Sequence, residues 1–150
     1  MHYTIRPVNF GDFAALMDIE LAAFGEHGYC GYFVKMIPHL FPHSCLLAEV
    51  DGHAVGYSLG APDGGDVTTA WILTAAVKPD FQGHGLGKSL TCELMRVMEA
   101  RGARTFLLTV EPDNPARELY RRLGFVEVKY EADCYGQGQH RYYMQRKVSL

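Results

Sequence analysis

The sequence is short of every feature that would place it in a specialised class. It has four cysteines, Cys30, Cys45, Cys92 and Cys134, and no C-x-x-C pair. Neither a zinc pattern nor a dense disulfide framework is expected, and reduced, mostly packed thiols are. His39 and His43 stand four apart, but Pro42 would break a helix that brought them together, so no metal site is expected. No apolar run approaches the roughly 20 residues of a membrane helix, which argues against a membrane partner. Basic charge is also lacking: 14 Lys and Arg against 17 Asp and Glu leave a net charge of −3, unlike a nucleic-acid binder. The opening residues Met1 to Pro7 have no apolar signal core, so a cytoplasmic location is the expectation.

What remains is an ordinary globular composition, with 48% hydrophobic and 21% charged residues among 150. That excludes disorder and fits one domain over 1–150. The periodicities alternate between strand and helix. Residues 2–7 read as a strand. Asp12 is placed to cap a helix with apolar positions Phe13, Leu16, Met17, Leu21 and Phe24. A turn-rich stretch at 25–31 leads to a short helix ending before Pro38 or Pro42. Residues 44–50 and 54–60 flank Asp51-Gly52, a hairpin signal. Residues 67–77 form the most continuous apolar run, which suits a strand covered on both faces. Leu86, Leu90, Leu94, Val97 and Met98 mark an amphipathic helix that Gly102 should end. Residues 105–110 read as a buried strand, Pro115 to Leu123 as a short helix with proline first, and 125–131 and 141–148 as two closing strands.

The segment Gln82-Gly83-His84-Gly85-Leu86-Gly87-Lys88 lies between the apolar run and the long helix. Alternate glycines let backbone amides converge, and the helix N-terminus adds positive dipole, an arrangement that suits phosphate oxygens. Gly87-Lys88-Ser89 resembles the end of a Walker A motif, but the first glycine of that motif is Gln82 here. The dinucleotide fingerprint fails because its third glycine falls at Lys88.

Residues 75–87 instead resemble motif A of the GNAT N-acetyltransferases, whose Gln/Arg-x-x-Gly-x-Gly/Ala core is met by Gln82, Gly85 and Gly87. Residues 114–125, Asn-Pro-Ala-Arg-Glu-Leu-Tyr-Arg-Arg-Leu-Gly-Phe, resemble motif B. The resemblance spans nearly the whole chain. It implies a single-domain α/β fold with a mixed, mostly antiparallel sheet splayed at the cofactor site and helices on both faces. It also implies acetyl-CoA as co-substrate. By the same resemblance Ala75, Ala76 and Val77 hold the pantetheine arm, and Gln82, Gly83, His84, Gly85, Leu86, Gly87 and Lys88 cradle the pyrophosphate. Asn114 reaches the arm or the reacting centre, and Tyr120 lies near the sulfur. Simple counting puts Asp113 in the asparagine's place, so both residues stay open. Arg117, Arg121 and Arg122 are candidates for the adenosine phosphates. Leu73 and Thr74 occupy places where the family often carries glutamates.

The implied activity is transfer of an acetyl group to a primary amine by direct attack in a ternary complex. Tyr120 is the candidate acid and Glu111 the candidate base. Glu26, Tyr29, Trp71 and Tyr135 are the acceptor-binding candidates, since acids and aromatics suit a cationic amine. A peptide N-terminus, a lysine and a small-molecule amine all remain open, as do monomer and homodimer. The 133–140 stretch faintly resembles the N-terminal alanine acetylating branch. A catalytically silent acyl-CoA-binding module and, further off, a P-loop-like nucleotide hydrolase are the alternatives.

Overall fold

The computed structural model describes residues 1–148. In chain order the elements are β1 (Thr4–Pro7), α1 (Phe13–Phe24), α2 (Gly31–Leu40), β2 (Cys45–Val50), β3 (His53–Pro62) and β4 (Thr69–Val77). There follow α3 (Leu86–Ala100), β5 (Thr105–Val110), α4 (Ala116–Arg122), β6 (Val126–Glu131) and β7 (Arg141–Lys147). The strands form one sheet in the order β1-β2-β3-β4-β5-β7-β6. β4 and β5 pair in parallel, whereas β1/β2, β2/β3, β5/β7 and β6/β7 pair antiparallel. The β4–β5 ladder runs only from Thr69↔Thr105 to Trp71↔Leu107, although β4 continues to Val77. This is the mixed, splayed α/β sheet that the resemblance implied. No described helix is long and apolar enough to cross a membrane.

The chain divides into two compact units, Met1–Ala61 with Thr74–Arg101, and Pro62–Leu73 with the residues from Gly102 onward. In the first unit the sheet is covered on both faces. Cys45, Leu47, Tyr57, Leu59 and Ala76 point to one side, where they meet Leu16 and Ile19 of α1 and Val34 and Ile37 of α2. On the other side Ser58 Oγ donates to the Leu90 carbonyl of α3 at 3.1 Å. β3 is therefore buried without a break from Val55 to Gly60. A Cβ at Gly56 would sit 2.8 Å from the Ala76 carbonyl oxygen, so only glycine fits there.

Several sequence expectations need correction. Asp12 does not cap α1 through its side chain: its carboxylate takes the Asn9 amide at 2.7 Å and both terminal nitrogens of Arg6. Asn9 is the residue that caps, because a short 3-10 turn (Phe10–Asp12) precedes α1. The buried face of α1 is Leu16, Ile19 and Glu20, while Leu21 and Phe24 are exposed. α2 accommodates Pro38 in its last turn and ends before Pro42. β3 runs to Pro62, and β4 starts at Thr69. Val67 is 86% exposed, because the Asp66 carboxylate binds the Thr68 amide and the Thr68 and Thr69 hydroxyls in a turn. Between Thr69 and Leu73 β4 is buried on one face only, not on both, and β5 likewise alternates.

Asp51 (φ 51°) and Gly52 (φ 80°) form the expected two-residue hairpin turn. Gly102 follows α3 with φ 110°. The thiols are less packed than expected: Cys45 is buried, but Cys30 and Cys92 are exposed.

In the second unit β-alternation sorts the residues cleanly. Ala70, Phe106, Leu108, Val110 and Met144 share the buried face. α4 lies on that side, where the Arg117 guanidinium stacks 4.2 Å from the ring centre of Tyr142. Trp71, Leu107, Thr109 and Tyr143 share the opposite face, which no described helix of this unit covers.

Candidate functional site

In the first unit a 3-10 turn at Pro79–Phe81 ends β4, and Gln82 leads extended backbone into the glycine turn. Gly83 and Gly85 both have φ of 82°, and α3 begins at Leu86. Gln82 Nε2 donates to the Val77 carbonyl at 3.0 Å, which ties the turn to the strand end. The first helical amide with a partner is that of Ser89, bonded to the Gly85 carbonyl at 3.0 Å. Among the described residues the amides of Gly83 to Lys88 donate to no protein acceptor. A helix leaves its first amides unsatisfied, and here the turn before it adds more in the same place.

A Cβ on Gly83, Gly85 or Gly87 would meet nothing within 4 Å. Backbone conformation requires glycine at 83 and 85. At Gly87 neither conformation nor a protein neighbour does. His84 and Lys88 are exposed, whereas the Leu86 side chain is buried and can offer only its amide. Ala76 and Val77 are buried and Ala75 half-buried.

The 25–30 turn is held by a residue that the sequence analysis passed over. Glu20 is 1% exposed. One of its carboxylate oxygens accepts from the Tyr57 hydroxyl and the other from the Tyr29 amide at 2.9 Å. Burial and this carboxylate push the Tyr57 phenol well above its ordinary pKa. The available signal was an acid four residues after Leu16, on the apolar period of the helix. Tyr29 also packs on Phe33, with ring centres 4.7 Å apart. Glu26 projects into solvent, 3.9 Å from His27.

In the second unit the Asn114 Oδ1 accepts the Ala116 amide at 2.9 Å, and Pro115 already has helical backbone (φ −56°, ψ −23°). Asn114 is thus the working cap of α4, and Asp113 is exposed beside it. Tyr120 is 9% exposed and meets Phe125 edge-on, with ring centres 5.8 Å apart. Its hydroxyl has no partner among the described residues. Burial raises its pKa, so the phenol stays protonated.

Arg117 is bound to the Pro112 carbonyl and to Glu127, Arg121 to Glu118 and Glu127, and Arg122 lies 3.6 Å from Glu118. These three guanidiniums are occupied within their own unit. Glu111 directly follows β5 and lies 3.9 Å from Arg141. The Trp71 Nε1 donates to Asp63 at 2.8 Å, and the Tyr135 hydroxyl pairs with the Thr109 hydroxyl at 2.7 Å. His39 packs on the Phe10 ring, 4.8 Å between centres.

The family model of the acetyltransferase (GNAT) family matches residues 13–125. A mycothiol acetyltransferase of Streptomyces coelicolor is 34% identical over 123 residues, covering 77% of this chain and 40% of that protein. The chain therefore spans about two fifths of that relative. An N-alpha-acetyltransferase of Sulfurisphaera tokodaii is 29% identical, covering 95% of this chain and 91% of that one. Among solved structures, Ard1 of Thermoplasma volcanium superposes with a TM-score of 0.89 at 24% identity, covering both chains fully. The yncA structure of Salmonella typhimurium, with its cofactor acetyl-CoA, has a TM-score of 0.80 at 23% identity over 100% of this chain and 96% of that one. By its sequence match and its fold, the chain belongs to the GNAT acetyltransferase family, a family of acyltransferases.

Proposed function

We propose that the chain transfers the acetyl group of acetyl-CoA to a primary amine by direct attack. Six consecutive amides without an acceptor among the described residues, Gly83 to Lys88, carry this reading. They open a helix beside glycines that leave the approach clear, as a pyrophosphate needs. Gln82 braces the turn, and Ala75, Ala76 and Val77 are assigned to the pantetheine arm. Asn114 has its carbonyl oxygen committed to α4, which leaves its NH2 group for the co-substrate.

The chemistry then assigns the remaining roles. An amine of pKa about 10.4 must shed a proton before it attacks the thioester carbon. Glu111 takes that proton, directly or through water. The new N–C bond forms as the carbonyl becomes an oxyanion, which a backbone amide stabilises. The C–S bond then breaks, and Tyr120 protonates the departing thiolate of pKa about 8.5.

Calorimetric titration tests the donor half: acetyl-CoA should bind saturably and ATP–Mg should not. A mass-spectrometric screen of amines with acetyl-CoA tests the transfer half. Binding of ATP–Mg without CoA would overturn the reading, and CoA binding with no acetyl transfer to any amine would leave a silent binding module.

A further inference from the structure

The sheet face of the second unit that lies opposite α4 ends in a pair of opposite charges. β5 and β7 are in register up to Val110↔Tyr142, so the next residues, Glu111 and Arg141, stand opposite one another. By strand alternation both lie on the Thr109 and Tyr143 face. The Tyr135 ring lies 5.0 Å from the Arg141 guanidinium, and its hydroxyl is pinned to Thr109.

The two charges are not equally satisfied. The Glu111 side chain is 55% exposed and water can solvate it, whereas the Arg141 side chain is only 15% exposed. Arg141 donates to the His140 carbonyl at 2.8 Å and to Gln139 Oε1 at 3.3 Å, both neutral. Its nearest carboxylate, that of Glu111, is 3.9 Å away and outside hydrogen-bond reach. Arg117 and Arg121, in the same unit, each hydrogen-bond a carboxylate. A largely desolvated guanidinium with a planar fork of donors, whose hydrogen-bond acceptors among the described residues are all neutral, is suited to a carboxylate. The same charge disfavours a polyamine or a lysine side chain on this face.

We propose that Arg141 anchors a carboxylate of the acceptor, so that the amine acetylated is an amino-acid-like zwitterion whose carboxylate meets Arg141 while its ammonium meets Glu111. This rests on the acetyl-transfer reading above and narrows its acceptor. In the reaction the ammonium proton passes to Glu111, the nitrogen bonds to the acetyl carbon, and CoA leaves as the thiol. The acceptor carboxylate is a spectator held by Arg141.

The test offers the purified chain acetyl-CoA with the common free amino acids, β-alanine and 4-aminobutyrate. Each is compared with its carboxamide, and an Ala-initiated tetrapeptide amide and spermidine are run alongside. The expected result is that at least one free amino acid is acetylated with kcat/KM about tenfold or more above its carboxamide. Arg141→Met should erase that preference by lowering only the carboxylate's kcat/KM, with the KM for acetyl-CoA unchanged. Arg141→Lys keeps the charge without the fork and should retain part of the preference, so a folding defect in one variant does not decide the matter. Equal rates for acids and carboxamides overturn the proposal. So does acetylation confined to the peptide or spermidine, an unaltered preference in Arg141→Met, or no turnover by a chain that binds acetyl-CoA. Failure to bind acetyl-CoA overturns the acetyl-transfer reading itself.

Discussion

The hydroxyl of Tyr57, in the middle of β3, donates to a carboxylate oxygen of Glu20, in the middle of α1, and both side chains are buried. The second oxygen of Glu20 holds the Tyr29 amide, so one carboxylate fastens the 25–30 turn to the core. A Cβ at Gly28 would stand 2.7 Å from that oxygen, which keeps the turn close. Glu20→Ala strands two donors and opens a cavity, and should lower stability by about 3 kcal/mol. Thermal and urea unfolding would check this. A variant as stable as the parent would mean that the pair contributes nothing net.

The glycine turn should set co-substrate affinity. Gly85 has a positive φ and leads into α3. Gly85→Val strains that backbone and adds bulk where the amides converge. Acetyl-CoA binding should weaken by tenfold or more, about 1.4 kcal/mol. Calorimetry on the folded variant decides, and an unchanged Kd would make the turn purely structural.

Tyr120→Phe preserves the ring against Phe125 and deletes one hydroxyl that has no partner among the described residues. With Tyr120 as the acid, kcat should fall about tenfold to a hundredfold and the KM for acetyl-CoA should stay put. A kcat within about twofold of the parent, with chemistry limiting, assigns the proton to another donor.

Acid should weaken the link between β1 and the start of α1. The Arg6 hydrogen bonds, with the Asn9 amide, hold the Asp12 carboxyl below its ordinary pKa. A depressed folded pKa stabilises above the unfolded value of about 3.9, and that contribution is lost as pH falls through the folded pKa. Asp12→Asn should cost about 1.5–3 kcal/mol at pH 7 and progressively less below pH ~4. Urea titrations of both proteins across that range would show the curves converging. Parallel curves would remove Asp12 as the titrating group.

The thiols should separate by burial. Desolvation pushes the Cys45 thiol up to about 12, while Cys30 and Cys92 are exposed. An aromatic disulfide reagent should label Cys30 and Cys92 in the folded chain and reach Cys45 only after denaturation. Rapid labelling of Cys45 under native conditions would contradict the packing.

Local patterns carried much of the fold because they follow from short-range sterics. Asp51-Gly52 can supply two positive φ values at little cost, and Leu86, Leu90, Leu94 and Met98 repeat on one helical face wherever the helix packs. The glycine turn was legible for the same reason: Gly83 and Gly85 mark the two positions where the backbone takes a positive φ. Where the reading missed, a side-chain hydrogen bond that periodicity does not encode made the decision. Asp12 was drawn from capping by Arg6 of β1, and Val67 was left outside β4 by the Asp66 turn.

The sequence by itself therefore determined most of the elements and the turn before α3, through periodicity and the conformational freedom of glycine, and it carries the two motifs by which the chain resembles its family. Only the tertiary structure decided that Glu20 is a buried clamp and not a surface acid, since that depends on Tyr57, which lies 37 positions away in the chain. It alone decided which face of the second unit's strands α4 covers, because strand alternation says that two faces exist but not which one a helix takes. It alone set Arg141 opposite Glu111, because strand register is fixed by pairing between segments that the linear order keeps apart.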